Sequence, residues 1–176
     1  MDENETLIPA WVDGELRPVP KLDAHRRALR HLAVSIFATR GGETLIQRRA
    51  FGKYHSGGLW SNACCTHPAW MEEDAACARR RMREELGIEA DGLRRVGTVD
   101  YRADVGGGLT EHERVAMFAV ELSEQIRPEP DPDEVHSVRW IGWDRLEREI
   151  AEAPERFTPW LAIYLARHRD MVMGAA

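Results

Sequence analysis

Residues 72–88 read Glu72-Glu73-Asp74-Ala75-Ala76-Cys77-Ala78-Arg79-Arg80-Arg81-Met82-Arg83-Glu84-Glu85-Leu86-Gly87-Ile88. From Asp74 to Leu86 there is no Gly or Pro, and Ala, Arg, Met and Glu dominate, so this stretch predicts a helix. Gly87 follows as its C-cap. The segments on either side read as strands. Leu32 to Thr39 alternates partly and carries Val34, Ile36 and Phe37. Gly41-Gly42 marks a hairpin turn, and Thr44 to Arg49 is the returning strand. Downstream, Leu93 to Tyr101, Glu113 to Leu122 and Val135 to Ile141 read as strands, with Gly106-Gly107-Gly108 in a loop between the first two. Two helices follow, over about Asp144–Ala153 and Thr158–His168. One middle helix among strands, with helices at the end, predicts an α/β chain whose mixed sheet packs between helices.

Two short strings carry the chemistry. Trp60-Ser61-Asn62-Ala63-Cys64-Cys65-Thr66-His67 offers a thiol two residues before an imidazole. Glu111-His112-Glu113 offers two carboxylates at i and i+2, which share one face of a strand. A pocket with a thiol on one wall and a carboxylate on the other can move a proton across a flat substrate, and can also hold a metal. Cys64 and Cys65 alternate across a strand, so only one of them faces such a pocket. Between the two early strands and the cysteines lies a Gly-rich loop, Ala50 to Leu59, carrying Lys53, Tyr54 and His55.

The chain has 176 residues, enough for one domain with a sizeable core. A net charge of −6 disfavours a broad nucleic-acid surface. No apolar run approaches the ~20 residues of a membrane helix. Met1-Asp2-Glu3-Asn4-Glu5 lacks the basic and apolar regions of a signal peptide. Three cysteines, two of them adjacent, make a poor disulfide framework. The expectation is a cytoplasmic protein with no membrane or nucleic-acid partner, a monomer or weak homodimer acting on a small molecule. Residues 1–24, with Pro9, Pro18 and Pro20 around Val12-Asp13-Gly14-Glu15, are expected to form a hairpin or extended arm packed on a single domain over residues 25–170.

Trp-Ser-Asn-x-Cys-Cys-Thr-His-Pro from Trp60, the Glu72…Arg80-Arg81-Met82-x-Glu84-Glu85-Leu86-Gly87-Ile88 register, Tyr101-Arg102-Ala103, Glu111-His112-Glu113 and Phe157-Thr158-Pro159-Trp160 together resemble type I isopentenyl-diphosphate delta-isomerases. The match runs from about Lys21 to Trp160 in order. Several independent motifs in one register are far more specific than any one alone. The resemblance implies the Nudix α/β/α sandwich. It also implies interconversion of isopentenyl and dimethylallyl diphosphate through a carbocation.

It implies residue roles as well. Cys65, rather than Cys64, and Glu113 would form the acid/base pair, with Tyr101 relaying a proton and Trp160 offering a π face to positive charge. His25, His31, His67, Glu111 and Glu113 would hold Mn2+ or Mg2+. Such a set of three nitrogens and two carboxylates is too large for tetrahedral zinc. Only the Glu111/Glu113 pairing follows from local geometry. Cys65 and Glu85 would serve a second Mg2+ that arrives with the substrate diphosphate. Lys21, Arg49, Lys53 and Arg81 would grip that diphosphate. The general Nudix pattern, G-x5-E-x7-R-E-U-x-E-E-x-G-U with U aliphatic, is broken twice: Thr66 stands for the glycine and Arg81 for the first glutamate of the R-E pair. An Arg there replaces a cation ligand with an anion anchor, which argues against hydrolysis.

Cys64 and Cys77 read as small core residues, and Arg79 and Glu84 as solvated helix surface. His55, His112, His136 and His168 read as structural or surface residues. The competing functions are a Nudix diphosphohydrolase of a nucleoside diphosphate derivative, which needs the missing glutamate, and a silent metal-binding scaffold, which needs no thiol.

Overall fold

Strand β3 (His31–Arg40) is the axis of the sheet. It was assembled in a computed structural model that describes residues 6–173; the acidic start at residues 1–5 lies outside them. The N-terminal β1 (Leu7–Val12) and β2 (Glu15–Pro20) form a hairpin turned at Asp13-Gly14, both with positive φ (51° and 84°). That is the geometry an Asp-Gly two-residue turn supplies. β1 joins the sheet through Ala10 opposite His31. A short helix α1 (Lys21–Arg26) then leads into β3.

β3 runs antiparallel to β4 (Glu43–Arg49) and β6 (Cys64–Thr66), and parallel to β8 (Leu109–Glu121). β4 continues the sheet to β5 (Trp60–Asn62) and β9 (Val135–Gly142). β7 (Arg94–Gly106) closes the other side against β8. The sheet has nine strands among the described residues, and helices cover both faces. On one face, Val34, Ile36, Ala38, Ala116 and Phe118 pack against Cys77, Ala78, Met82 and Leu86 of α2 (Asp74–Leu86). On the other, Ala33, Phe37, Val115 and Met117 pack against Trp143 and Leu146 of α3 (Trp143–Glu152) and Trp160, Leu161 and Tyr164 of α4 (Pro159–Met173). Alternate residues of β3 and β8 therefore enter opposite cores, as a strand with both faces buried requires.

The middle helix is bounded as its sequence predicts. Gly87 sits at φ 65°, its N–H donating to the Arg83 carbonyl while Ile88 N–H donates to Met82. This left-handed cap satisfies carbonyls the helix leaves open. A Cβ on Gly87 would lie 3.0 Å from Cβ of Glu129.

Three boundaries differ from expectation. β7 and β8 are each 13 residues long and meet at the triple glycine, so the Glu111 pair lies within a strand, not ahead of one. The outer hairpin alternates exposed Arg102, Asp104 and Arg114 with inward residues, and so lacks the apolar run that marks a strand. β3 begins at His31, one residue before the expected start, and His25 lies on the short helix α1 ahead of it. α4 extends to Met173, past a kink at His168. No helix among the described residues is long and apolar enough to cross a membrane.

Candidate active site

The sheet register builds the site. His31 of β3 lies opposite Glu113 of β8, which lies opposite Tyr101 of β7, so three strands place these side chains in one row. Glu111, two residues earlier, stands on the same face. Ser35 lies opposite Cys65, bringing the short strand β6 to the same surface. Cys64 points the other way, fully buried with Cys77 against α2. The pocket between these strands is lined by Cys65, His67, Tyr101, Glu111, Glu113 and Trp160, and by Lys21, Arg49, Lys53, Arg81 and Glu85 at its basic end.

The imidazoles are oriented by the backbone. His25 Nδ1 lies 2.6 Å from the Lys21 carbonyl and His31 Nδ1 2.8 Å from that of Leu29. Each Nδ1–H donates to its carbonyl, which turns both Nε2 atoms inward. Nε2 of His25, His31 and His67 lie 3.1, 3.4 and 4.0 Å from Glu111 Oε2. His67 Nε2 is also 2.9 Å from Glu113 Oε1. His25, His31, His67 and Glu111 present donor atoms within 4.8 Å of one another, and Glu113 borders that group through His67. His31 Nε2 and Glu111 Oε2 are buried without a hydrogen-bond partner. Buried polar atoms left open on one small cavity are what a bound cation would satisfy. Nitrogen and carboxylate donors suit a divalent ion of intermediate hardness.

The two carboxylates are driven apart. Burial raises the pKa of Glu111, but the neighbouring imidazoles of His25, His31 and His55 prevail and hold it well below the usual range. Burial and the charge of Glu111 push Glu113 up. Burial opposes a charge on His31, yet Glu111 and Glu113 lift it to about 10. Tyr101, opposite Glu113 in the strand register, is pushed well up by burial and by the charge of Glu113.

The thiol has its own cradle. Cys65 Sγ donates to Asn62 Oδ1 at 3.0 Å and lies 3.0 Å from Ser35 Oγ. Asn62 is pinned by three bonds from its Nδ2, to Ser35 Oγ and to the carbonyls of Ile36 and Cys64. Burial pushes the thiol pKa up to about 12, against the lowering effect of the Ser35, Ser61 and Asn62 hydrogen bonds. Trp160 donates its indole N–H to Ser61 Oγ at 2.9 Å, fixing the ring in the pocket wall.

At the basic end, the Arg49 guanidinium lies 5.4 Å from the Trp160 ring centroid and Lys21 Nζ 5.2 Å from that of Tyr54. Arg81 is 2.8 Å from Glu85 and 3.2 Å from Glu134, and Lys53 is 2.6 Å from Glu134. Glu85 also accepts from Gln47 Nε2 at 2.9 Å. All the residues singled out in the sequence thus gather in or beside one pocket.

Two residues escaped the sequence reading. Glu134 holds Lys53 and Arg81 together from the acidic connection before β9. His55, expected to be structural or surface, is buried in the pocket wall, with Nε2 2.9 Å from Glu111 Oε1. Burial lowers its pKa, so the ring is neutral. The signal was its place in a Gly-rich loop one residue after Lys53-Tyr54, but a lone loop histidine has no periodicity to read. His112 faces away and bonds the Ala28 carbonyl, His136 is exposed and His168 sits at the kink, as expected.

The comparisons with known proteins agree with this architecture. The NUDIX domain model matches residues 29–161. Proteins named isopentenyl-diphosphate Delta-isomerase from Rhodobacter capsulatus and Cereibacter sphaeroides are 55% and 56% identical over 168 residues, covering 96% of this chain and 96% and 95% of theirs. Among solved structures, one from Deinococcus radiodurans aligns with TM-score 0.74 at 20% identity over 93% of this chain and 98% of its own. A MutT NUDIX hydrolase from Burkholderia pseudomallei aligns with TM-score 0.62 at 22% identity, covering 78% of this chain and 97% of its own. The structural likenesses carry the fold alone, whereas the sequence identity runs nearly end to end. The chain belongs to the isopentenyl-diphosphate Delta-isomerase family, built on a NUDIX domain.

Proposed function

We propose that this enzyme interconverts isopentenyl diphosphate and dimethylallyl diphosphate, with Cys65 and Glu113 exchanging the protons. The observation that carries the reading is that a protonated thiol and a carboxyl with a raised pKa line one buried pocket whose other end is basic. One proton adds to the terminal methylene carbon of the alkene, giving a tertiary cation. Another leaves the carbon on the far side, and the double bond has moved with no change in composition or oxidation state. An unactivated alkene is a very weak base, so the acid must be close and water kept out. Tyr101 stands opposite Glu113 in the register and serves to relay its proton. The Trp160 face stabilises positive charge, a contact worth about 0.5–2 kcal/mol and more when desolvated.

Lys21, Arg49, Lys53 and Arg81 hold the diphosphate at the basic end, where Arg81 and Lys53 exchange part of their Glu134 contact for the ligand. His25, His31, His67, Glu111 and Glu113 hold Mn2+ or Mg2+, and Glu85 with Cys65 serves a second Mg2+ brought by the diphosphate. A divalent ion so held supplies fixed positive charge that tunes the acidity of the neighbouring carboxyl. Residues 25–170 act as one catalytic domain with the hairpin arm of residues 6–24 packed on it, a packing supported by the pairing of Ala10 with His31. The same reading has the enzyme cytoplasmic, and a monomer or weak homodimer.

The hydrolase alternative gains nothing from the site, since Arg81 occupies the position where it needs a carboxylate. Incubating the purified protein with isopentenyl diphosphate and Mg2+ or Mn2+, with products read by phosphorus and proton NMR, separates the two. Dimethylallyl diphosphate without phosphate release is expected. Phosphate release without isomerisation would replace this reading with hydrolysis.

A further inference from the structure

Glu111 divides its two oxygens between two sets of partners. Oε2 faces the imidazoles of His25 and His31, at 3.1 and 3.4 Å. Oε1 lies 2.9 Å from Nε2 of His55, whose ring centroid is 5.6 Å from that of His25. Ser56 Oγ is 3.2 Å from His55 Nδ1. With the hydroxyl donating to Nδ1, the imidazole carries its hydrogen on Nε2 and donates to Oε1. Nothing in the local sequence requires this contact, because His55 comes from the loop between β4 and β5 and Glu111 from the outer part of β8.

His55 is itself held. It is 7% exposed, and its ring packs edge-on against Tyr54 at 4.4 Å and Trp160 at 5.9 Å between centroids. Its carbonyl accepts from Arg49 Nη2 at 3.3 Å. The loop closes through Arg49 N–H to Leu59 O and Gly58 N–H to Arg49 O, at 2.9 and 3.1 Å. Gly57 packs so tightly that a Cβ there would lie 2.6 Å from the Phe51 carbonyl oxygen. A loop this constrained presents the imidazole at one fixed place.

We propose that His55 is a positioning residue that locks the Glu111 carboxylate, so that Oε2 stays aimed at the point where the His25, His31 and His67 Nε2 atoms converge. The inference rests on the reading above, that this cluster holds a divalent cation. Without His55, Glu111 can rotate, and the cluster must order it on each binding event. A hydrogen-bonding partner behind a metal ligand commonly sets affinity by about 10–100-fold. His55 also packs against Trp160, so the same side chain couples the cluster to the wall on the substrate side.

The test is Mn2+ alone, titrated calorimetrically into metal-free wild type, His55→Ala, His55→Gln and Glu111→Ala, with the thermal midpoint of each metal-free protein measured alongside. Gln places an N–H near the position of Nε2. His55→Ala is expected to weaken Mn2+ binding about 10–100-fold and His55→Gln to recover most of that loss. Wild-type affinity in His55→Ala, with binding lost in Glu111→Ala, would overturn the role of His55 and leave the cation site standing. Equal weakening in His55→Ala and His55→Gln would overturn it too, reducing His55 to packing against Trp160. No Mn2+ binding by wild type would remove the cation site and this proposal together.

Discussion

Cys65 and Cys64 are adjacent and chemically identical, yet the strand sends one into the pocket and the other into the α2 core. The pocket thiol keeps its proton because burial raises it to about 12, so it is present as an acid at neutral pH. Cys65→Ala should therefore lower kcat by about 10²–10⁴-fold, the usual worth of a positioned general acid or base. Cys64→Ala should leave kcat near wild type and instead lower stability by about 1 kcal/mol through a small core cavity. Steady-state kinetics and denaturant melts of both variants check the ranking, and the reverse order would place the wrong thiol in the site. Glu111 and Glu113 were legible as a pair because strand alternation is local, two residues apart meaning one face, whereas Cys65 and His67 were named through the family resemblance. Tyr101 and His31 needed the register, which no single segment contains. His55 and Glu134 were illegible because their partners are set by how a loop and a connection fold back onto the sheet.

Among the elements, α2 was the most legible, since propensity, cap and apolar spacing agree on one helix. Gly87 ends it in a conformation that costs an L-residue about 1–2 kcal/mol, and Glu129 crowds the place a Cβ would take. Gly87→Ala should lower stability by at least that amount while leaving the metal-free fold intact, as read by urea melts and circular dichroism. An unchanged midpoint would mean the cap is not needed to stop the helix. The β7–β8 hairpin was the least legible element. Its outer half is exposed on one side and lined by pocket residues on the other, so function rather than core packing decides its composition. That half carries Glu111 and Glu113.

At the scale of the molecule, the fold holds several ionisable groups neutral. Burial raises the pKa values of Cys64, Cys65, Cys77, Tyr101 and Tyr164. Each binds its proton more tightly folded than unfolded, so their contribution to stability is full below the unfolded values, about 9 for thiols and 10 for phenols. It is lost as pH rises above those values. The thermal midpoint should decline from about pH 6.5, where His31 starts to lose its raised hold on the proton, and fall further between about pH 9 and pH 12 as the thiols and phenols follow. A level midpoint up to pH 11.5 would show that these groups ionise in place.

The layering was readable from the order of elements, because a lone middle helix and two terminal helices must cover opposite faces of the sheet. What joins those layers to activity is proton exchange across the pocket. It is measured by running the isomerisation in D2O and locating deuterium in both diphosphates by NMR. Wild type should place solvent deuterium in the methyl group of dimethylallyl diphosphate, and Cys65→Ala and Glu113→Gln should lose turnover and exchange together. Turnover that carries no solvent deuterium into the product, or exchange that survives both substitutions, would contradict a proton passed between this thiol and this carboxylate.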